Sequence, residues 1–539
     1  MEVIIFQRSK DIFIKFNHEI KSQYLISFIS LGLVLFYNLS FFENVSKHYL
    51  VTASNMPFYF SLGLLLFAIH CLVMLLFDFP FIFKLVVIPV IMVSSTAAYV
   101  MDSFHYMIDY QVFQIILEAD FKEAMEFINI YMLLYVSLLG VLPSLLLFKT
   151  KIVCMNWKNK IKFGLFIFVL LGGNIGLMGK EYASFFRNHK PVRYFTNPIT
   201  YIYSMIKFTK IQFKNRNIEF SKIALDAKRS ETNDLEKKKL VILVIGETAR
   251  AHNFSLNGYK RDTNPLLSQR TDIVSLRDAY SCGTETSKSL PCMLSKFNRK
   301  DFTRHRGKYF ENVLDVLKRM NVRVQWRDND SGCKGLCDRV EYLDLNLADI
   351  KPHCKNKDCF DEVLLYKLQE FIDEQETDTI IVLHKKGNHG PAYFKRYPKK
   401  FEKFTPTCLT ERLQDCETKY IVNAYDNIIH YTDFFLNSLI EKLKMNEEKF
   451  DPMMIYVSDH GESLGEGGVY LHAMPYWIAP KVQKHIPFIF WGGEYFKEKI
   501  DQLRLRENET FSHDNLFHTL IGLFNVQTKE YNKSLDLLK

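Results

Sequence analysis

The sequence lacks a nucleic-acid-binding motif, an internal repeat and any long low-complexity tract. The absence of repeats argues against a repeat architecture, and no nucleic acid partner is expected despite the formal net charge of +9. No small-residue cleavage site precedes a mature domain, so the first hydrophobic segment is not a cleavable signal peptide. Cysteine is scarce in the first 180 of the 539 residues, where only Cys71 and Cys154 occur.

Long hydrophobic runs are concentrated in the same N-terminal part of the chain. A membrane-spanning helix needs about 20 apolar residues. Five segments approach or reach this length: residues 22–42, 57–77, 79–101, 127–148 and 163–179. The sequence therefore predicts a transmembrane domain over residues 1–180 with five helical spans.

The distribution of basic residues predicts how these spans are oriented. Basic residues are frequent in the N-terminal tail, at Arg8, Lys10, Lys15 and Lys21. They are also frequent between the fourth and fifth spans, at Lys149, Lys151, Lys158, Lys160 and Lys162. Because positive loops stay in the cytoplasm, both regions are predicted to be cytoplasmic. Five spans then place everything after residue 179 outside the cytoplasm.

The remaining cysteines fit an oxidising compartment. All eight fall in sequence-adjacent pairs: Cys282 and Cys292, Cys333 and Cys337, Cys354 and Cys359, Cys408 and Cys416. An even number of close pairs in an extracytoplasmic domain predicts disulfides, and we expect neighbours to pair. A structural zinc site formed by the two middle pairs is the alternative, but it would leave the outer pairs unexplained.

The C-terminal part has the pattern of a soluble α/β domain. Residues 181–238 are predicted to form an interfacial segment, aromatic and basic over 190–208, followed by a polar linker. From residue 239 to 539, short apolar runs predict strands at 240–246, 322–326, 379–383, 453–457 and 486–491. Helical periodicity lies between several of them, at 311–320, 360–374 and 420–443. This alternation predicts a mostly parallel sheet covered by helices on both faces.

Acidic and imidazole side chains follow three of the predicted strands. Glu247 follows the first, Asp459 and His460 follow 453–457, and His384 and His389 follow 379–383. Sites in such sheets lie at the carboxyl ends of the strands, so these side chains are expected to meet at one edge. Carboxylate oxygen and imidazole nitrogen suit zinc. Taken singly, each residue is more often a solvated strand end or a helix cap than a metal ligand, and it is their joint placement that favours a site.

The stretch SCGTETSKSLPC, residues 281–292, encloses four hydroxyl side chains between two cysteines. A metal can lower the pKa of a bound hydroxyl, and a helix start favours phosphate oxygens. A disulfide between the two cysteines would hold a nucleophilic hydroxyl rigidly. The residues alone are equally compatible with an ordinary capping loop under a structural disulfide.

Several longer stretches resemble one enzyme family. They are GETARAHNFSLNGYKRDTNPLL (246–267), SCGTETSKSLPCMLS (281–295), WRDNDSGCKG (326–335), GNHGPAYFKRYP (387–398), SDHGESLGEGGVYLHAMPY (458–476) and SHDNLFHTLIGLF (512–524). The chain is similar to phosphoethanolamine transferases of the alkaline phosphatase superfamily, which include lipid A modifying and mobile colistin resistance enzymes. The resemblance covers the whole chain and implies a bacterial inner-membrane protein with a periplasmic catalytic domain of alkaline phosphatase and sulfatase-like fold.

The resemblance implies a reaction and the residues that carry it out. Thr286 is similar to the nucleophile that takes phosphoethanolamine from phosphatidylethanolamine, before lipid A or the lipopolysaccharide core accepts the group. Glu247, Asp459 and His460 match ligands of one tightly bound Zn²⁺, completed by Thr286. The product would confer resistance to polymyxins, and we expect a monomer.

Other positions match residues that contact a second metal or the substrates. His389 and His472 match a second metal or substrate position, Asn329 and Lys334 match contacts to donor or acceptor phosphate, and Glu118 matches a residue at the donor-lipid entrance. One departure is Ala473, where the family has glycine. Alanine there should matter little unless the backbone needs a positive φ.

Two kinds of alternative remain at the level of the sequence. The first is another phosphotransferase of the same fold, such as a phosphoglycerol transferase, or a phosphatase. A sulfatase is disfavoured because the chain has no C-x-P-x-R or S-x-P-x-R motif. The second alternative is a non-catalytic membrane-anchored sensor or scaffold, against which the complete set of Glu247, Thr286, Asp459 and His460 argues.

Overall fold

The computed structural model describes residues 19–108, 125, 128–214, 219–229, 237–345, 350, 353–355 and 358–539. The chain divides into two compact units. The first contains the hydrophobic N-terminal helices and ends at Lys210, and the second runs from Ile211 to the end of the chain.

The first unit is helical. Its helices are α1 (Ser22–Phe36), α2 (Leu39–Ser46), α3 (Met56–Leu75), α4 (Ile82–Phe104), α5 (Ile130–Lys149), α6 (Trp157–Asn188) and α7 (Ile199–Lys214), the last of which crosses the unit boundary. A short parallel pair joins β1 (Glu19–Lys21) to β2 (Lys151–Val153). Among the described residues, α3 to α6 are each long and apolar enough to span a membrane, and α1 with α2 raises the count to five if that bent pair is one span.

The segment predicted as the first span, residues 22–42, is bent between α1 and α2. The two helices meet at an angle of 49°. At the break, Asn38 Nδ2 donates to Leu33 O at 2.9 Å and to Asn197 O at 2.7 Å. An asparagine amide that competes for backbone carbonyls in this way disfavours a continuous helix. The fifth predicted span, 163–179, lies within the longer helix α6.

The second unit is built around an eight-stranded sheet. Its strands are β3 (Lys238–Gly246), β4 (Ile273–Tyr280), β5 (Arg323–Asp328), β6 (Glu341–Asp344), β7 (Thr379–His384), β8 (Phe450–Ser458), β9 (His485–Gly492) and β10 (Thr510–Ser512). Their order across the sheet is β10-β4-β9-β8-β3-β7-β5-β6. The two pairings of β9 are antiparallel and the other pairings are parallel, so the sheet is mixed.

The direction of β9 has a local cause. The segment between Ser458 and His485 contains no α-helix and stays at the end of the sheet where β8 finishes. A parallel return needs a crossover of a dozen or more residues that runs back along the sheet, usually as a helix. Without it, the chain re-enters the sheet in the opposite direction. The apolar pattern of 486–491 predicted the strand but carried no information on its direction.

Helices cover both faces of the sheet. They are α8 (Thr286–Met293), α9 (Arg304–Tyr309), α10 (Val313–Arg319), α11 (Leu368–Asp373), α12 (Thr418–Lys444), α13 (Lys497–Arg504) and α14 (Asp514–Leu523). The side chains of Val241, Leu243 and Ile245 join one buried cluster with residues of α8, α10, α13 and α14. Leu240 and Val244, on the other face of β3, are equally buried. Successive side chains of a strand point to opposite faces of the sheet, so a strand that is apolar throughout needs other elements packed on both faces.

The register of the central strands places their carboxyl ends side by side. Val457 of β8 and His384 of β7 both pair with Ile245 of β3. His384 also pairs with Asp328 of β5. Residues that follow β3, β5, β7 and β8 therefore emerge at one edge of the sheet, as the sequence predicted.

Candidate active site

Three ligand-type side chains meet at this edge. Glu247, Asp459 and His460 each offer one donor atom, and these atoms lie within 4.8 Å of one another. His460 Nε2 is 3.5 Å from Glu247 Oε1 and 3.2 Å from Asp459 Oδ2. All three side chains are fully buried. They come from the loops after β3 and β8, which are neighbours in the sheet.

Thr286 is the first residue of α8 and faces this group. Its Oγ1 lies 3.1 Å from each carboxylate oxygen of Glu247 and 3.3 Å from His460 Nε2. Thr286 is partly exposed, whereas the three groups beneath it are inaccessible. A hydroxyl placed between buried ligands and solvent can contact both a metal and an incoming phosphate. Its position at a helix start also favours anionic phosphate oxygens.

Contacts on the far side of α8 fix the position of Thr286. Ser289 Oγ donates to the backbone oxygen of Asp459. Cys282 N donates to His513 Nδ1 at 3.1 Å, and His513 Nε2 therefore carries the proton that it donates to Ser458 O at 2.9 Å. The loop before α8 and the loop after β8 are thus held together. Ser289 and His513 were missed in the sequence, although both lie in the quoted family stretches.

The buried groups fit a divalent cation. Burial, together with nearby Asp459, raises the pKa of Glu247 well above its ordinary value, and burial raises the pKa of Asp459 to about 6. Burial and the neighbouring His472 lower the pKa of His460 to about 4. Asp459 Oδ2 is buried and has no hydrogen-bond partner among the described residues. Two carboxylates, a neutral imidazole and a hydroxyl oxygen form a donor set typical of zinc.

Two further histidines border the site. The ring of His472 lies 4.5 Å from that of His460 and 5.8 Å from that of His389. His472 Nδ1 is 3.2 Å from Oε1 of Glu462, a fully buried carboxyl group whose pKa burial raises to about 8. This contact orients the His472 ring, and it was not foreseen although Glu462 lies in the quoted stretch 458–476. His472 thus lies beside His460, and His389 lies beside His472, at the border of the site.

Three other predicted residues have different placements. Asn329 is buried, and its Nδ2 donates to Asp361 Oδ1 at 3.0 Å and to Cys359 O at 3.2 Å. Its successor Asp330, rather than Asn329, joins the buried ligand-type groups at the site. Lys334 is partly exposed, and its Nζ donates to Ser331 Oγ and Ser331 O. Glu118 lies outside the described residues.

The departure at Ala473 has a structural cost. Ala473 has a φ of 68°, in the left-handed region that glycine adopts most easily. Its N–H donates to Thr284 O at 2.7 Å, and Thr284 Oγ1 donates to Met474 O at 2.6 Å. Alanine in this conformation costs about 1–2 kcal/mol. The expectation that this substitution matters little was conditional on an ordinary φ, and that condition is not met.

The four disulfides join Cys282 to Cys292, Cys333 to Cys337, Cys354 to Cys359 and Cys408 to Cys416. The predicted pairing of sequence neighbours is therefore confirmed. The alternative zinc site is wrong because its four sulfurs are bonded to one another in two pairs. The first disulfide closes the loop that carries Thr286.

Comparison with known proteins agrees with this geometry. The family model described as Sulfatase matches residues 239–526, and the one described as Phosphoethanolamine transferase EptA/EptB matches residues 66–213. Phosphoethanolamine transferase EptA of Escherichia coli is 37% identical over 514 residues, covering 93% of this chain and 94% of the relative. Phosphatidylethanolamine transferase Mcr-2 of Escherichia coli is 37% identical over 526 residues, covering 95% of this chain and 96% of the relative.

A solved structure extends the match to three dimensions. The integral membrane protein lipooligosaccharide phosphoethanolamine transferase A (EptA) from Neisseria meningitidis superposes with a TM-score of 0.92 at 34% identity. The alignment covers 95% of this chain and 98% of that one. Sequence and structure agree over nearly the whole length, and the chain therefore belongs to the EptA family of phosphoethanolamine transferases.

Proposed function

We propose that this protein transfers phosphoethanolamine from phosphatidylethanolamine to lipid A in the periplasmic leaflet of a bacterial inner membrane. Residues 1–180 would anchor the enzyme and present the donor lipid, and residues 239–539 would carry out the chemistry. Residues 181–238 would connect these two domains. The added amine would offset negative surface charge and reduce the attraction of cationic peptides such as polymyxins. The full-length similarity to EptA supports both the donor headgroup and the membrane setting.

The observation that carries the proposal is the position of Thr286. Its hydroxyl is partly exposed at the start of α8 and contacts Glu247 and His460 from above. A hydrolase could use water as its nucleophile, but a transferase benefits from a covalent intermediate that waits for a second substrate. A hydroxyl held over a buried ligand set is suited to that role.

The reaction would proceed in two displacements at phosphorus. Thr286 Oγ1 attacks the phosphorus of phosphatidylethanolamine, its proton passes towards Glu247, and the bond to the diacylglycerol oxygen breaks. Diacylglycerol leaves after its oxygen is protonated, and His389 would donate that proton. An oxygen of a lipid A phosphate then attacks the same phosphorus, and Thr286 leaves and regains a proton. His472 and Lys334 would contact the phosphoryl oxygens.

A Zn²⁺ ion held by Glu247, Thr286, Asp459 and His460 would lower the pKa of the threonine hydroxyl and polarise the phosphoryl group. The donor set supports this assignment, since catalytic zinc typically has carboxylate and imidazole ligands and keeps one coordination position open for substrate. The protein's own contribution is to keep three ligands buried and rigid and to leave the Thr286 side open. We assign His389 and His472 to the substrate phosphate.

The proposed function is tested by mass spectrometry of lipid A and core oligosaccharide. The full chain would be expressed in Gram-negative cells that lack such enzymes. A gain of one phosphoethanolamine unit on lipid A is expected. A gain on the core fraction instead would change the acceptor, and no gain on either fraction with folded protein in the membrane would contradict phosphoethanolamine transfer.

The disulfide around Thr286 is predicted to support activity as well as stability. Loops of the size closed by Cys282–Cys292 and Cys408–Cys416 each contribute about 3 kcal/mol to the free energy of unfolding. Replacing both cysteines of either pair by serine should therefore lower the melting temperature, and the decrease should be similar in the two double variants. Only the Cys282→Ser, Cys292→Ser protein should also lose more than about tenfold in transfer rate, because misplacing reacting atoms by 1 Å is that costly.

The Cys408→Ser, Cys416→Ser protein is the matched control, since its loop is of comparable length and contributes no site residue. Transfer rates would be measured per folded protein with labelled phosphatidylethanolamine. Equal rates in the two double variants would show that the first disulfide does not position Thr286.

A further inference from the structure

A cluster of basic side chains lies beside the start of α8 and has no part in the proposed reaction. Its members are Lys288, Arg299 and Lys484, all partly exposed. Lys288 lies in α8, shortly after Thr286, and Arg299 lies in the loop that follows this helix. The backbone oxygen of Lys484 accepts from Ser281 N at 2.8 Å, which ties this residue to the loop that carries the nucleophile. The cluster therefore borders the proposed site.

One aromatic ring brings two of these cations together. The Arg299 guanidinium lies 4.4 Å from the ring centroid of Tyr476, and Lys484 Nζ lies 5.1 Å from the same centroid. The loop that carries Tyr476 is attached to the nucleophile loop, because Thr284 Oγ1 donates to Met474 O at 2.6 Å. Cation–π contacts hold a side chain in place without using its N–H donors. Both cations are thus positioned beside α8 with donors left for a ligand.

The three cations have no acidic partner. In the part of the chain that the structure describes, no carboxylate forms an ion pair with any of them. Two acidic groups nearby are engaged otherwise. Glu285 pairs with Arg304 at 2.6 Å, and Asp514 accepts from the backbone N–H of Arg299 at 2.7 Å. The positive charge of the cluster is therefore not neutralised by the protein itself.

The cations also lie close enough to disfavour one another. Burial and the nearby Arg299 lower the pKa of Lys484. Burial lowers the pKa of Lys288 as well, and Arg304 and Arg299 contribute to this shift. Like charges that a fold holds together repel one another and attract anions to the space between them. The cluster therefore has the electrostatic character of an anion-binding site.

We propose that Lys288, Arg299 and Lys484 bind a second phosphate of the acceptor while its first phosphate reacts at Thr286. Guanidinium and ammonium groups are common phosphate ligands in proteins, since each offers several charged N–H donors. The acceptor class is then a saccharide lipid that carries two phosphates, and the cluster selects it over acceptors that carry one. This inference rests on the proposed function and adds the group by which the acceptor is recognised.

The test compares two acceptors, using the full-length protein in detergent and labelled phosphatidylethanolamine. One is lipid A with two phosphates, and the other retains only the phosphate that the wild type modifies. The wild type should have a kcat/KM at least about tenfold higher for the first, the factor expected of charge-assisted hydrogen bonds to phosphate. The double variant Arg299→Gln, Lys484→Gln and the single variant Lys288→Gln should each lose most of this preference. Lys300→Gln removes an exposed lysine next to Arg299 and is the matched control, which should keep the preference.

The preference between acceptors distinguishes recognition from folding, because a partly unfolded variant loses activity with both acceptors alike. Equal kcat/KM values in the wild type would overturn the second-phosphate site, and this measurement decides even if a variant fails to fold. A double variant that keeps the preference would also overturn it. So would an equal loss with both acceptors in folded protein, which would assign the cations to the donor or the bilayer.

Release of diacylglycerol without any acceptor reports the first displacement alone. Its absence in the wild type would contradict the proposed function and, with it, this inference. Release that is followed by transfer without a preference between the acceptors would overturn only the inference.

Discussion

Replacing Thr286 by alanine is expected to lower the rate of phosphoethanolamine transfer by at least about 10³-fold, because it removes the hydroxyl that we propose forms the covalent intermediate. The side chain is partly exposed, and its hydroxyl contacts only polar groups of the site among the described residues. Its loss should therefore leave the fold intact. The rate would be measured with purified full-length protein and labelled phosphatidylethanolamine, with the melting temperature recorded for each variant.

Thr284→Ala is the matched control for this experiment. The hydroxyl of Thr284 donates to Met474 O, whereas that of Thr286 contacts Glu247 and His460. Its removal should cost about 1 kcal/mol of stability and little transfer activity. Thr286→Ser keeps a hydroxyl at the same position and should recover part of the rate. The assigned nucleophile would be wrong if Thr286→Ala transferred phosphoethanolamine at the wild-type rate. It would also be wrong if Thr284→Ala lowered the transfer rate as much as Thr286→Ala.

The main features of the site were predictable because they depend on strand ends. Glu247 follows β3, and Asp459 and His460 follow β8. Apolar runs identify such strands, and the rule that sites lie at the carboxyl edge does not require the strand order to be known. The family resemblance then singled out Thr286 from the other hydroxyls of its loop. Pairing in the sheet brought these residues together as expected.

The choice between Asn329 and Asp330 could not be made from the sequence. Successive residues at a strand end point in opposite directions, so a shift of one position reverses which side chain faces the site. In the structure Asn329 is directed to Asp361, and Asp330 is directed to the buried ligands. The direction depends on where β5 stops pairing, which is set by contacts with distant parts of the chain.

Three strands and one bend also depended on tertiary context. The strand β4 was not predicted, and neither were the edge strands β6 and β10, which are short. Short edge strands have little apolar periodicity because one side remains open. The bend between α1 and α2 depends on the contact of Asn38 with Asn197, which lies far away in the sequence. Hydropathy averaged over a window does not detect such a contact.

The last prediction concerns the close approach of two site loops. Gly387 has a φ of 50°, and a Cβ added there would lie 2.7 Å from Glu247 O and 2.9 Å from Glu247 N. Both are backbone atoms, so no rotamer change can relieve the overlap. The same loop is fixed by Asn388 N, which donates to Glu247 O at 2.9 Å. Gly387→Ala should therefore displace Glu247 or the loop that carries His389.

We expect Gly387→Ala to cost about 2–5 kcal/mol, the sum of the left-handed conformation and the overlap. Zinc content and transfer rate per folded protein should both fall, the rate by more than about tenfold. Gly258→Ala is the matched control, since Gly258 has a φ of 93° and no atom of the described residues would lie within 4 Å of its added Cβ. It should cost only about 1–2 kcal/mol and leave zinc content unchanged. Equal effects of the two substitutions would show that backbone conformation, rather than the contact with Glu247, requires glycine at position 387.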